Sequence, residues 1–167
     1  KAKLNALREL ADIQRDKLND LDAAAETLEV FLQLSPKDTD ALSTLCGVYQ
    51  RSEKWELLAG TLAQLADGLD DPSGKAGVLR QQAEIQLGEL NLADEAKTSL
   101  NEALALEGEG PGALAAWKLL AKAAESLSDD ALLRKALDGV TRFELDPDGL
   151  RWARIQLAKV DERAGNT

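Results

Sequence analysis

The sequence predicts an all-α chain built from paired helices, and three observations carry that prediction. Leu (32) and Ala (27) dominate the 167 residues, while Val and Ile together number 8. Leu and Ala favour helix, and strands would draw on the β-branched residues that are scarce here. The segment 7–34 matches 79–106 without a gap at 12 of 28 positions, a shift of 72 residues. Clusters of Pro, Gly, Asn and Asp interrupt apolar stripes of helical period at about half that spacing, the scale of a helical hairpin.

The identities in the shifted windows are Leu7/Leu79, Arg8/Arg80, Ala11/Ala83, Ile13/Ile85, Gln14/Gln86, Leu18/Leu90, Asn19/Asn91, Asp22/Asp94, Ala24/Ala96, Leu28/Leu100, Leu32/Leu104 and Leu34/Leu106. Matching Arg, Gln, Asn and Asp go beyond what a Leu- and Ala-rich composition yields by chance.

The elements follow in order. In the first hairpin, Leu4, Leu7, Leu10 and Ala11 start a stripe that Ile13, Gln14 and Leu18 continue. Asn19 suits the left-handed conformation of a helix end, and Asp20 suits an N-cap. Ala24, Leu28, Phe31 and Leu32 mark the second helix, which Ser35-Pro36-Lys37-Asp38 ends. The second hairpin sets Leu42, Leu45, Cys46 and Tyr49 on one face, turns over Gln50–Lys54, and continues with Trp55, Leu58, Leu62 and Leu65. Asp70-Asp71-Pro72-Ser73-Gly74 punctuates the chain.

The third hairpin, from Ala76 to Leu106, repeats the first and ends in Gly108-Glu109-Gly110-Pro111-Gly112. In the fourth, Trp117, Leu120, Ala121 and Ala124 repeat the spacing of Leu42, Leu45, Cys46 and Tyr49. Leu133, Leu137 and Val140 likewise repeat Leu58, Leu62 and Leu65, again at a shift of 75. After Asp146-Pro147-Asp148-Gly149, a last helix carries Leu150, Ala153, Leu157 and Val160 on its stripe, with Trp152 and Ile155 off it. The expected repeats span 4–38, 39–75, 76–113 and 114–149. A helix over 150–164 serves as a cap or as the first helix of a further repeat.

These hairpins resemble tetratricopeptide repeats, whose units read W-x2-L-G-x2-Y, then A-x3-F, then P. Leu42-x2-Leu45-Cys46-x2-Tyr49 resembles the first part, with Leu for Trp and Cys for Gly. Trp117-x2-Leu120-Ala121 keeps the Trp and a small residue, with Ala124 where Tyr is usual. Ala24-x3-Leu28 and Ala96-x3-Leu100 resemble the middle part, and Pro36 and Pro147 sit near unit ends. The resemblance covers nearly the whole chain. It implies a right-handed superhelical solenoid of about nine helices, with the first helix of each pair lining a concave groove. It also implies a protein-interaction or assembly scaffold.

Composition excludes several chemistries. The net charge is −10, with 20 basic and 30 acidic residues. Such a chain is a poor ligand for nucleic acid or anionic membrane, and no apolar run is long enough to span a bilayer. There is no His and one Cys. That removes most zinc sites, Ser–His and Cys–His nucleophiles and any internal disulfide. No cofactor, metal or catalytic residue is expected, so the chain is read as a non-enzyme. Met is also absent and the first residue is Lys1. The expectation is a segment of a longer protein, continuing in further repeats on at least one side. No signal peptide is visible, and the cytoplasm is the default location.

Each conspicuous residue has a structural reading. Cys46 occupies a small-residue position of a helix seam. Gly108, Gly110 and Gly112 lack the strand and Gly-Lys-Ser/Thr of a phosphate loop. Asp146, Asp148 and Gly149 lack the further ligands of a calcium loop and read as a turn with an N-cap. Trp55 and Trp117 read as seam fillers, while Trp152 is left open.

One surface feature points to function. On the groove face implied by the resemblance stand Asn5, Arg8, Asp12 and Arg15, then Asp40, Ser43, Gly47 and Gln50, then Gly77, Arg80, Glu84 and Leu87, and last Ala115, Lys118, Lys122 and Glu125. This set is slightly positive on an otherwise acidic chain. It is read as a site for an extended acidic peptide, with Arg8, Asp12, Arg15, Arg80, Glu84, Lys118 and Lys122 as its polar residues. The competing reading is a solvated surface with pairs such as Arg8–Asp12 and Arg80–Glu84. The alternative functions are a structural spacer, or a regulatory domain of a larger enzyme or transcription regulator. The partner is a protein or peptide, and self-association through the terminal repeats is open to the chain.

Overall fold

The structure, a computed structural model, describes residues 2–108 and 112–165. Those residues form nine α-helices and no strand. They are α1 (Ala2–Asp16), α2 (Leu21–Leu34), α3 (Thr39–Arg51), α4 (Trp55–Gly68), α5 (Pro72–Gly88), α6 (Ala93–Glu107), α7 (Ala113–Leu127), α8 (Asp130–Phe143) and α9 (Pro147–Arg163). The chain divides into two compact units, Lys1–Val78 and Leu79–Thr167, with the break inside α5.

Helix starts follow the sequence signals. Asp20, Asp38, Asp129 and Asp146 are N-caps whose carboxylates accept from the amides of Ala23, Ala41, Leu132 and Gly149 at 2.8–3.0 Å. Each satisfies a donor that the first turn leaves without an intrahelical partner. The cluster at Asp70–Gly74, which separates the second hairpin from the third, opens a helix. Pro72 is the first residue of α5, where its missing N–H costs nothing, and Asp71 accepts from the Gly74 amide at 2.6 Å. α3 runs to Arg51, two residues into the expected turn. Glu53, at φ 55, makes the reversal there.

The 72-residue repeat is also a repeat of geometry, seen once in each unit. Asn19 (φ 50) and Asn91 (φ 56) both adopt the left-handed conformation expected of Asn19. The amides of Leu18 and Leu90 donate to Ile13 and Ile85 at 3.1 Å, and those of Asp20 and Leu92 to Gln14 and Gln86 at 2.8 and 2.7 Å. A side-chain bond repeats as well. Thr27 donates to Gln14 Oε1 at 2.8 Å, and Ser99 donates to Gln86 Oε1 at 3.2 Å. Each ties the first helix of a hairpin to its second.

In the first unit, α1 packs on α2, α2 on α3 and α3 on α4. Its core includes Leu28, Phe31, Leu42, Leu45, Leu58 and Leu62, with the small residues Ala11, Ala24 and Cys46 at close approaches. Each buried Leu contributes about 1.5–3 kcal/mol of burial energy. Leu10 and Ile13, expected on the buried stripe of α1, are each 45% exposed. α2 covers only one flank of α1, and no described helix covers the other.

In the second unit, α6 packs on α7, α7 on α8 and α8 on α9. Leu100, Leu120, Leu133, Leu137, Val140, Ala153 and Val160 form its core. Leu87, expected in the groove, belongs to this core at 7% exposure. The residues related by a shift of 75 are buried in both units: Leu45/Leu120, Cys46/Ala121, Leu58/Leu133 and Leu62/Leu137. Trp117 lies over Gly139 of α8, where an added Cβ would come within 2.2 Å of the indole ring. Glu109, Gly110 and Pro111 of the glycine-rich loop lie outside the described residues, while Gly108 ends α6 at φ 56.

Candidate functional site

Each of the seven residues singled out on the first helices has a definite setting within its own unit. In the first unit, Arg8 leaves α1 across the ring of Phe31, with its guanidinium carbon 5.2 Å from the centroid. It donates to both Asp38 oxygens at 2.9 and 3.0 Å. Asp38 is also the α3 cap, so Arg8 links α1, α2 and the start of α3. Asp40 stands 3.8 Å from the same guanidinium. The i, i+4 pair Arg8–Asp12 is absent among the described ion pairs. Asp12 pairs with Arg15 at 2.9 Å, and Arg15 also binds Asp16 at 2.6 Å. That contact holds the Asp16 carboxyl below the usual range.

In the second unit, Arg80 pairs with Glu107 at the end of α6 and not with Glu84. The Arg80 side chain is 23% exposed and that of Glu107 only 6%, so this pair is largely out of water. Gly112 makes room for it, because an added Cβ there would strike both partners. Glu84 is exposed. Lys118 reaches Glu144 Oε2 at 2.5 Å, and that contact holds the Glu144 carboxyl below the usual range. Lys122 is exposed and has no ion-pair partner among the described residues. Arg8 and Arg80, identical in the sequence repeat, thus engage different carboxylates.

Other residues carry the settings that were expected of them. Cys46 is buried, and burial pushes its thiol up to about 11. Asp146 is a helix cap. No group of three or more metal-ligating side chains occurs among the described residues. No helix among them is long and apolar enough to cross a membrane.

Sequence reasoning missed a cavity of about 460 Å³ in the first unit, lined by residues of α2, α3 and α4. The Tyr49 hydroxyl donates to Glu29 Oε1 there at 2.5 Å, and burial with this contact pushes the phenol well above its usual range. Gly60, in the interior of α4, lines the same cavity. A glycine at mid-helix was the available signal.

No known family profile matches the chain, and no curated protein matches it either. Solved structures do. A MamA protein aligns over 98% of this chain and 84% of its own at a TM-score of 0.67 and 18% identity. A tetratricopeptide repeat protein from Parabacteroides merdae aligns over 99% of this chain and 63% of its own, with TM-score 0.67 and 18% identity. Kinesin light chain-like repeats from Podosopora anserina align over 97% and 87%, with TM-score 0.59 and 18% identity. Identities of this size speak to fold, and the chain has the all-helical, tetratricopeptide-like repeat fold of these proteins.

Proposed function

We propose that the chain is a protein-interaction scaffold that works by presenting helix faces and not by catalysis. Its repeats run over 4–38, 39–75, 76–113 and 114–149, with 150–164 as the terminal helix. On this reading the first helices offer an acidic peptide two cationic patches, one in each unit. Arg8, with Asp12 and Arg15 beside it, forms the first. Lys118 and Lys122, with Arg80 and Glu84, form the second. The observation that carries the reading is the exposure of cations on first helices in a chain of net charge −10. Lys122 has no partner to give up among the described residues, and Arg8 and Lys118 are each about half exposed. An incoming carboxylate meets Lys122 without displacing an ion pair among the described residues, whereas at Arg8 and Lys118 it competes with Asp38 and with the largely buried Glu144. Arg80 contributes by holding the end of α6, because its partner Glu107 is buried.

The test is fluorescence anisotropy of a labelled oligo-glutamate peptide titrated with the protein. Arg8→Ala/Lys118→Ala/Lys122→Ala should weaken binding and flatten its salt dependence. The control Glu26→Ala/Glu95→Ala, on second helices, should not weaken it. Equal affinities for the two variants would sink the proposal.

A further inference from the structure

Two surfaces outside the cationic patches are complementary to each other, one on each unit. The first is the cavity between α2, α3 and α4. Leu32, Leu45, Tyr49 and Leu57 line it, and Glu29 and Glu56 are its charged residues. No Lys or Arg lines it among the described residues. Leu57 is 51% exposed. Glu29 accepts the Tyr49 hydroxyl at Oε1, and its charge is felt by Lys54. Gly60 lies in the helical interior, where glycine costs about 1 kcal/mol relative to Ala. Nothing stands within 4 Å of the position its Cβ would take. Packing therefore does not require this glycine, and without a side chain there the cavity is wider on its α4 side.

The second surface is the outer face of α9. Trp152 and Ile155 are 46% and 48% exposed. Beside them a cleft of about 470 Å³ is lined by Pro147, Leu150, Arg151, Arg154, Ile155 and Ala158, with no carboxylate among them. Arg154 has no ion-pair partner among the described residues. Arg151 has only a loose exposed contact with Asp148 at 3.6 Å. An apolar helix face edged by two guanidiniums meets a cavity in which Leu32, Leu45, Tyr49 and Leu57 alternate with the neutral polar residues Gln33, Thr61 and Gln64 and whose two charges are carboxylates.

We propose that α9 of one copy docks into the α2–α4 cavity of a second copy. Trp152 and Ile155 cover Leu57 and the Gly60 backbone, and Arg151 and Arg154 face Glu29 and Glu56. Donor and acceptor surfaces differ, so the contact is heterologous. It leaves one free surface of each kind on every dimer and propagates into chains or rings. A single helix in a groove is a small interface, which places the association in the weak, reversible class.

The experiment is sedimentation velocity on the 167-residue chain across a wide concentration range at low and high salt, with circular dichroism to confirm that each variant is folded. The wild type should grow in mass with concentration and shrink in high salt. Glu29→Lys/Glu56→Lys and Arg151→Glu/Arg154→Glu should each raise the dissociation constant about tenfold or more. Gly60→Gln, which adds bulk without charge, should do the same by filling the cavity. The deciding sample is an equimolar mixture of the two charge-reversed variants. In the mixture the intact Arg151 and Arg154 face meets the intact Glu29 and Glu56 cavity, and the two reversed surfaces are complementary to each other as well, so the association that each variant alone has lost should return. A wild type that stays monomeric, or a mixture that regains no association, overturns the proposal. So does assembly that survives both charge reversals.

Discussion

Replacing Gly139 by Ala should destabilise the protein, although the same change in an open helix stabilises it. In an exposed helical interior, Ala is better than Gly by about 1 kcal/mol. Gly139 is buried in α8, and its new Cβ would sit 2.2, 2.5 and 2.6 Å from three ring carbons of Trp117. Real carbon contacts are well beyond 3 Å, so the indole or the helix must move. Overpacking of this kind costs typically about 1–3 kcal/mol, which offsets and exceeds the propensity gain. Urea denaturation followed by circular dichroism measures the change. For a chain of this size the melting temperature should fall by roughly 2–4 °C per kcal/mol lost. Trp117→Leu, which installs the residue found at the equivalent position 42, should relieve the clash. It also removes an indole N–H that is buried without an acceptor among the described residues. The double variant should therefore be more stable than the two single losses predict. A Gly139→Ala protein as stable as the wild type would refute the reasoning.

Three further outcomes are expected. Cys46 should react slowly with a thiol reagent in the native protein and quickly after denaturation. Its raised native pKa means that only the unfolded state loses the thiol proton between the ordinary value of 9.0 and about 11, so stability should fall with rising pH in that window, and Cys46→Ala should flatten the slope. Arg80→Ala should cost about 3–5 kcal/mol in chemical denaturation by leaving the Glu107 carboxylate buried without its cation, whereas Arg80→Leu/Glu107→Leu should cost far less; equal losses would contradict this. Gly60→Ala should raise stability by about 0.5–1 kcal/mol, because its Cβ meets nothing.

The helices and their seams were legible because they rest on local rules. The Asp20 cap, the left-handed Asn19 and the stripe over Leu42, Leu45, Cys46 and Tyr49 each follow from spacing and residue type. The seam positions stay buried in both units even where Cys46 becomes Ala121. What a stripe cannot tell is which flank a neighbour covers, so Leu10 and Ile13 of α1 are half-exposed although they continue the pattern. The charged residues were the least legible. Arg8 and Arg80 share one position in the repeat, yet the first takes a helix cap and the second a buried Glu at the end of a helix. Those partners stand 30 and 27 residues away, beyond the reach of an i, i+4 argument. The α2–α4 cavity was missed for a similar reason. It arises where three helices meet, and its only sequence trace is Gly60 in a helical run.

One local code used twice is the basis of this fold, and a pair of double-mutant cycles tests it most directly. The Gln14–Thr27 and Gln86–Ser99 hydrogen bonds join equivalent helices 72 residues apart. Gln14→Leu with Thr27→Val, and Gln86→Leu with Ser99→Ala, measured by urea denaturation, give the coupling energy of each bond. Both cycles should show favourable coupling of about 0.5–1.5 kcal/mol, the usual net value of a part-buried hydrogen bond. Zero coupling in either copy would mean that the sequence repeat is not a repeat of structure at that position.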